Sequence, residues 1–403
     1  MALKHLCSLP ESKNILQKNS VSQASNNKIF IITGELSGEM HAAHLVKSFK
    51  DHFDFEFAAV GSRRLAEAGA DIVCDYHNIS LTGVSELFSK IFHIYSALNT
   101  VKKYIRKTRP ALVILVDFPG FNLGIARFAK KLGIPVIYFI APQIWAWKKG
   151  RIKTIKRCVD QVICILPFEK QLYDSYSIDA VYVGHPFVAT VKPMLSREEF
   201  LKQIQKDGKN PIITIMPGSR ANEIIKHMPV LLKTVAVMKK SIPGLVVVLP
   251  LAENIETSIL EPFGDSLGHT IIVKKLAYEA LAYCDTAIVA SGSVTLEAAI
   301  LKAPTIVIYL ISSFSYLIAK MLVKIDFISL PNIIAGKEVF PEFIQDIDPE
   351  KIAEKALYMV HNGKEVILKD IDEIIEKLGH YNSYESARDV VIRFLEKRYG
   401  ALS

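Results

Sequence analysis

Short β-branched and aromatic runs alternate with amphipathic stretches along most of this chain, a pattern that predicts strands feeding helices. KIFIITG (28–34) reads as a strand, and the next residues place Ala42, Leu45, Val46 and Phe49 on one helical stripe. FEFAAVG (55–61) is a second strand, and RRLAEAG a helix ending at Gly69. The alternation continues through ALVILVD (111–117), the helical NLGIARFAKKLG, then IPVIYFI, QVICIL (161–166) and AVYVGHP (180–186). Uninterrupted apolar strands spaced by helices predict a parallel sheet covered on both faces.

From about Phe187 to Pro211 no strand is predicted, and the charge is mixed. The pattern then restarts with PIITIMPG (211–218), GLVVVLP (244–250), HTIIVK (269–274), DTAIVASG (285–292) and PTIVIYL (304–310), and beyond Asp348 it reads as helical. The expected fold is α/β, with two doubly wound Rossmann-like domains followed by C-terminal helices. The expected boundaries are a polar flexible leader over 1–27, domains over 28–190 and 191–347, and helices over 348–403.

Thr305 to Val323 is long and apolar enough to be weighed as a membrane span, with Lys320 its only charge. Its first residues are β-branched where the second sheet needs a strand, and Ser312, Ser313 and Ser315 interrupt it. A strand followed by an amphipathic surface helix is the expectation, with peripheral membrane contact kept open.

Length and composition agree with this outline. The 403 residues exceed one ordinary core, and 50% hydrophobic with 22% charged residues excludes a disordered chain. The five cysteines show no C-x-x-C pair and no zinc spacing, so reduced cytosolic thiols are expected. The leader lacks the apolar core of a secretion signal. A net charge of +8 and a mean hydropathy of +0.25 point to an anionic partner without naming it.

Ligands of open parallel sheets bind beyond the carboxyl ends of strands, so those loops carry the candidate chemistry. In Thr33-Gly34-Glu35-Leu36-Ser37-Gly38 a carboxylate stands where a diphosphate would approach, which argues against a nucleotide there. Glu35 is a base, a sugar-hydroxyl acceptor, or a partner for helix N-terminal N–H groups. Asp117 ends a buried strand and is either a general base or a brace for the following loop. Asn122 reads more as a helix cap than as a substrate contact.

The second half has the opposite character. Gly218-Ser219-Arg220 and Ser291-Gly292-Ser293 each follow a strand and open a helix, a setting for phosphate, while Glu297 is placed to accept from ribose hydroxyls. Trp145 and Trp147 precede KKGRIKTIKR (148–157), a run of cations without acid. That cluster fits a membrane interface or phosphorylated amphiphile better than nucleic acid, because no interleaved aromatic track extends it. An ordinary solvated helix beside packed tryptophans is the plain alternative.

Taken in order, GELSGEMHAAHLV, DFPGFN, APQIWAWKKGRIKTIKR, VGHP, MPGSRANEI, ASGSVTLEAAILKAP and SLPNIIAGKEVFPEF resemble the lipid-A-disaccharide synthase family from about residue 28 to the C-terminal helices. The resemblance implies a GT-B glycosyltransferase with no metal or other cofactor. It condenses UDP-2,3-diacylglucosamine with 2,3-diacylglucosamine 1-phosphate, with inversion and release of UDP. Donor nucleotide is expected on Gly218, Ser219, Arg220, Ser291, Gly292, Ser293 and Glu297, with Asp117 and Glu35 as base candidates. Ser37, Asn122, Gln143, Trp145, Lys148, Arg151 and Asn332 are expected on the acceptor or substrate side, Asn332 because it matches a family active-site asparagine. His185 is expected to be a hinge or structural residue.

The chain departs from the family pattern at Glu39, which stands for an aspartate, at Gly120, where a second acid is usual, and at Ala141, where serine is frequent. A cytoplasmic enzyme peripherally associated with the inner membrane is implied, and a homo-oligomer is compatible with the chain. The competing readings are another GT-B enzyme, either a UDP-N-acetylglucosamine transferase or a 2-epimerase, and a non-catalytic binder of anionic membranes or nucleic acid.

Overall fold

Two sheets organise the chain in a computed structural model that describes residues 27–50, 52–75, 87–142, 150–310, 327–345, 347–362, 365–379 and 382–400. The first contains β1 (Lys28–Ile32), β2 (Glu56–Gly61), β3 (Asp71–Asp75), β4 (Leu112–Val116), β5 (Val136–Phe139), β6 (Gln161–Cys164) and β7 (Ala180–Tyr182), in the order β3-β2-β1-β4-β5-β6-β7. The second contains β8 (Ile212–Met216), β9 (Val246–Pro250), β10 (Ile271–Val273), β11 (Thr286–Ala290), β12 (Thr305–Tyr309) and β13 (Glu342–Ile344), in the order β10-β9-β8-β11-β12-β13.

The central pairs are parallel, β1 with β2 and β4, and β8 with β9 and β11. Strand order therefore reverses beside β1 in one sheet and beside β8 in the other. Helices leaving the two strands at such a point turn to opposite faces and open a crevice at the carboxyl ends. This topology brings the loops after β1 and β4 together, and likewise the loops after β8 and β11.

The cores are built as the apolar runs predict, with Ile29–Ile32 and Leu112–Val116 all buried. Two strands escape the sequence reading, β3 and β13. Both are edge strands, partly exposed along their length, so neither needs the continuous apolar run that marks a central strand. The helix after β4 begins at Pro119 rather than Asn122, because proline is suited to a first helical turn.

By packing, the described residues fall into two units. One takes the described residues within 27–138, 158–160 and 388–400, and the other those within 139–157 and 161–387. The helical tail is present as Pro349–Asn362, Glu365–Leu378 and Ser383–Tyr399. The last helix is tied into the first unit by its side chains, Arg388 donating to the Ser48 carbonyl at 3.1 Å and Tyr399 to that of Ala111 at 3.0 Å.

No helix among the described residues is long and apolar enough to cross a membrane. The expected strand over Thr305–Tyr309 is present as β12, whereas the surface helix expected after it lies outside the described residues.

Candidate active site

At the β1–β4 crevice, Glu35 occupies the extended N-cap position of the helix Leu36–Phe49 but makes no side-chain cap hydrogen bond. Its carboxylate is exposed and accepts from Ser37 Oγ at 3.0 Å. Glu35 thus leaves the helix N–H groups alone and is presented outward. Glu39 has the contrary role. It is buried, and its Oε1 accepts from the N–H groups of Ser62 at 2.7 Å and Leu65 at 3.3 Å.

Asp117 follows β4 with φ 46° and Phe118 with φ 45°, two consecutive left-handed residues without a glycine. Such backbone costs on the order of 1–3 kcal/mol per residue and persists only where surroundings enforce it. The enforcement is visible here. The Asp117 carbonyl accepts from Tyr138 Oη at 2.6 Å and from Asn122 Nδ2 at 2.7 Å. The same Asn122 amide reaches the Val116 carbonyl at 3.2 Å. Phe118 closes the turn by lying over Gly34, where any Cβ would run into its ring.

Asn122 therefore does not cap its helix, whose N-cap is Phe118, and it is wholly buried. It braces the turn that presents Asp117. Tyr138, which no motif marks, does the same from β5.

At the β8–β11 crevice, a cleft of about 270 Å³ is lined by Gly218, Ser219, Glu223, Ser291, Gly292, Ser293 and Glu297, among others. Gly218 has φ 127°, and a Cβ there would stand 2.6 Å from Glu223 Oε2. Arg220 lies just beyond, with a largely exposed side chain.

Glu223 was not anticipated from the sequence. Its Oε2 accepts from the N–H groups of Ser219 at 3.1 Å and Arg220 at 3.3 Å, and its Oε1 accepts from Arg220 Nη1 at 2.8 Å. An internal carboxylate thus occupies the donors that a diphosphate would use. The signal was present as an acid three residues beyond the cap, the spacing of a capping box.

His227 supports the same loop. Leu310 N donates to its Nε2 at 3.0 Å, so the proton sits on Nδ1, which donates to the Pro217 carbonyl at 2.6 Å. Burial holds its pKa below the ordinary value, against the opposing pull of the Pro217 carbonyl. The neutral ring pins the end of β8 to the end of β12. Glu297, on the helix Val294–Ile300, is pushed up to about 7 by burial. Tyr278 nearby is pushed up to about 12 by burial and then by the Glu297 charge.

Asn332 is fully buried, and its amide is used on both sides. Nδ2 donates to the Phe340 carbonyl and to Glu342 Oε1, each at 2.8 Å, while Oδ1 accepts from Val339 N and Phe340 N, also at 2.8 Å. Glu342 further accepts from Ile328 N, Ser329 N and Ser329 Oγ. Asn332 thus braces the SLPNIIAGK loop against the Val339–Phe340 backbone and Glu342. Asn332→Ala is expected to cost about 3 kcal/mol in urea unfolding followed by circular dichroism, since two buried N–H groups lose their acceptor.

His185 is buried, accepts from Phe187 N at 3.2 Å through Nδ1, and donates its backbone N–H to the Leu378 carbonyl at 3.1 Å, a structural setting. Arg151 is half-buried in the helix Gly150–Cys158. Gln143, Trp145 and Lys148 lie outside the described residues. Among the described residues no group of three or more His, Cys, Asp or Glu side chains is gathered as metal ligands would be.

Comparison with known proteins gives this geometry a family. Residues 29–393 match the family model of lipid-A-disaccharide synthetase. The lipid-A-disaccharide synthase of Syntrophus aciditrophicus is 37% identical over 376 residues, covering 92% of this chain and 98% of that protein. That of a Coxiella burnetii strain is 35% identical over 371 residues, covering 91% and 98%. Among solved structures, the UDP-GlcNAc 2-epimerase of Neisseria meningitidis bound to UDP-GlcNAc superposes with a TM-score of 0.55 at 14% identity, over 92% of this chain and 100% of that one, a likeness of fold. The chain therefore belongs to the lipid-A-disaccharide synthetase family of glycosyltransferases.

Proposed function

We propose that the chain transfers 2,3-diacylglucosamine from its UDP conjugate to the 6-hydroxyl of 2,3-diacylglucosamine 1-phosphate, with inversion and release of UDP. The observation that carries this reading is the β8–β11 cleft, lined by the Gly218–Ser219 and Ser291–Ser293 loops together with Glu297 for a ribose, with Arg220 just beyond it. Residues 191–347 hold the donor and residues 28–190 the acceptor, with 348–403 as supporting helices.

In the reaction Asp117 takes the proton of the acceptor 6-hydroxyl, and the freed oxygen attacks the anomeric carbon. The bond from that carbon to the diphosphate oxygen breaks, and its electron pair leaves with UDP. Asn122 and Tyr138 hold the backbone carbonyl of Asp117 and so fix the turn that carries the carboxylate, while Glu35 and Ser37 form a paired outward acceptor for sugar hydroxyls. Leaving-group charge is taken up by Arg220 and the N–H groups of the Gly218–Arg220 loop. We assign the work to the cytoplasmic face of the inner membrane, by peripheral contact.

The direct test is UDP release from diacylated donor with and without acceptor. Release that requires the acylated glucosamine phosphate supports the assignment. Turnover of unacylated UDP-N-acetylglucosamine instead would move the chain to another GT-B chemistry.

The raised pKa of Glu297 adds a pH dependence. Between the ordinary carboxylate value of 4.5 and about 7, the folded chain holds a proton that the unfolded chain releases. Stability from this group therefore declines as pH rises through that window. Ribose hydroxyls donate best to the ionised form, so UDP binding draws the proton off. UDP affinity is expected to fall about tenfold from pH 8 to pH 6 in calorimetric titrations. Glu297→Gln is expected to flatten that profile.

A further inference from the structure

We propose that His227 is a positioning residue of the donor site, an imidazole that ties the Gly218–Arg220 loop to the end of β12 and so fixes it beside the Ser291–Ser293 loop. This role rests on the donor reading of the β8–β11 cleft. The helix Ala221–Ser241 follows β8 and buries Ile224, Met228, Leu231 and Val235. His227 lies among them in sequence and is just as buried, at a place where leucine would carry no polar cost. What the imidazole adds is a donor on one side of the ring and an acceptor on the other, both satisfied. Nδ1 donates to the Pro217 carbonyl at 2.6 Å, and Leu310 N donates to Nε2 at 3.0 Å.

Those two partners belong to strand ends on either side of β11, since the strand order is β8-β11-β12. The register between β8 and β11 runs out at Met216, opposite Val289. Pro217 has no N–H with which to carry the ladder further, and its carbonyl goes to His227. The neighbouring loop reaches the same anchor through its backbone, Ser291 N donating to the Ile308 carbonyl at 2.9 Å. The end of β12 therefore holds both loops that line the cleft, one directly and the other through His227.

Glu223, about one turn earlier on the helix, holds the same loop in a different way. It accepts from the N–H groups of Ser219 and Arg220, which a diphosphate also seeks. An anion competes for those N–H groups, but it has no means of replacing the donor at the Pro217 carbonyl. His227 thus keeps its hold when a nucleotide displaces Glu223. Neither lysine nor arginine has an acceptor for Leu310 N. Burial, with the Lys226 charge in support, keeps the ring's pKa below the ordinary value against the Pro217 carbonyl and the Glu223 charge, which preserves the acceptor.

The test is calorimetric titration of the full chain with UDP, alongside thermal unfolding, for His227→Leu, His227→Asn and His227→Gln. The two bonds act in series, so losing either frees the loop. Each variant is expected to bind UDP about tenfold more weakly, the scale of one buried hydrogen bond. The KM for donor should rise while the KM for acceptor stays where it was. Val235→Ala controls for lost stability alone. It opens a cavity about two turns along the same helix and should lower the unfolding temperature without moving UDP affinity. Unchanged UDP affinity in the His227 variants, or an equal loss in Val235→Ala, overturns the role. Amide exchange of the unsubstituted chain needs no variant to fold. A ligand that binds only the tethered loop protects the tether, so saturating UDP is expected to slow exchange at Leu310 N several-fold. Exchange there that is unchanged or faster also overturns the role. An unsubstituted chain that fails to bind UDP overturns the donor reading itself and the role with it, so the two failures are told apart.

Discussion

Asp117→Asn lowers kcat by a factor of about 10²–10⁴, the range for loss of a general base, and leaves UDP affinity where it was. Asparagine is the informative replacement because it tolerates left-handed backbone better than other polar residues, and Asp117 sits at φ 46°. An alanine there would add strain to the turn and confuse loss of the carboxylate with loss of position. The Asn122 and Tyr138 contacts are made to the Asp117 carbonyl, so they survive the change. Single-turnover transfer and calorimetric titration with UDP separate the outcomes. A variant that keeps turnover would pass the base role to Glu35, which is exposed and already paired with Ser37. A variant that loses UDP would break the division between acceptor chemistry after β4 and donor chemistry after β8.

Central strands were legible because burial writes them directly as apolar runs, ending in the Gly, Ser or acid of the following loop. The topology then follows from few choices, and the reversal of strand order beside β1 and β8 puts the marked loops side by side. Edge strands β3 and β13 were not legible, since half-exposed strands carry no continuous apolar signal. The residues that hold the site were harder still. Tyr138 lies within a strand that reads simply as core, and His227 within a helix whose partner, Leu310, is far along the chain. Their roles depend on long-range hydrogen bonds, which local sequence does not encode. Asn332 shows the reverse case, where a motif marks a residue for substrate and the structure shows its amide bonded to the Val339 and Phe340 backbone and to Glu342.

Arg220→Ala is expected to lower kcat/KM for the UDP donor by about 10²–10³, the effect of removing one preorganised partner of a developing anion. Glu223→Gln is expected to act in the opposite direction on UDP. The Glu223 carboxylate holds Ser219 N, Arg220 N and Arg220 Nη1. These are the donors a diphosphate needs, so the nucleotide has to displace a carboxylate or sit beside one. The Arg220–Glu223 pair is solvent-exposed on the Arg220 side, with 81% of that side chain accessible. Exposed pairs of this kind are weak and exchange readily. Glutamine keeps an oxygen for the loop N–H groups but gives up the charge, so UDP should bind more tightly and inhibit turnover at lower concentration. Product release should slow accordingly. Calorimetric UDP titration and product-inhibition kinetics of the two single variants and the double variant read this out. If Glu223→Gln weakens UDP instead, the carboxylate is a brace for the loop and does not compete for its donors. In the double variant the benefit of removing Glu223 should shrink, because much of what the carboxylate withholds from the diphosphate is Arg220 itself.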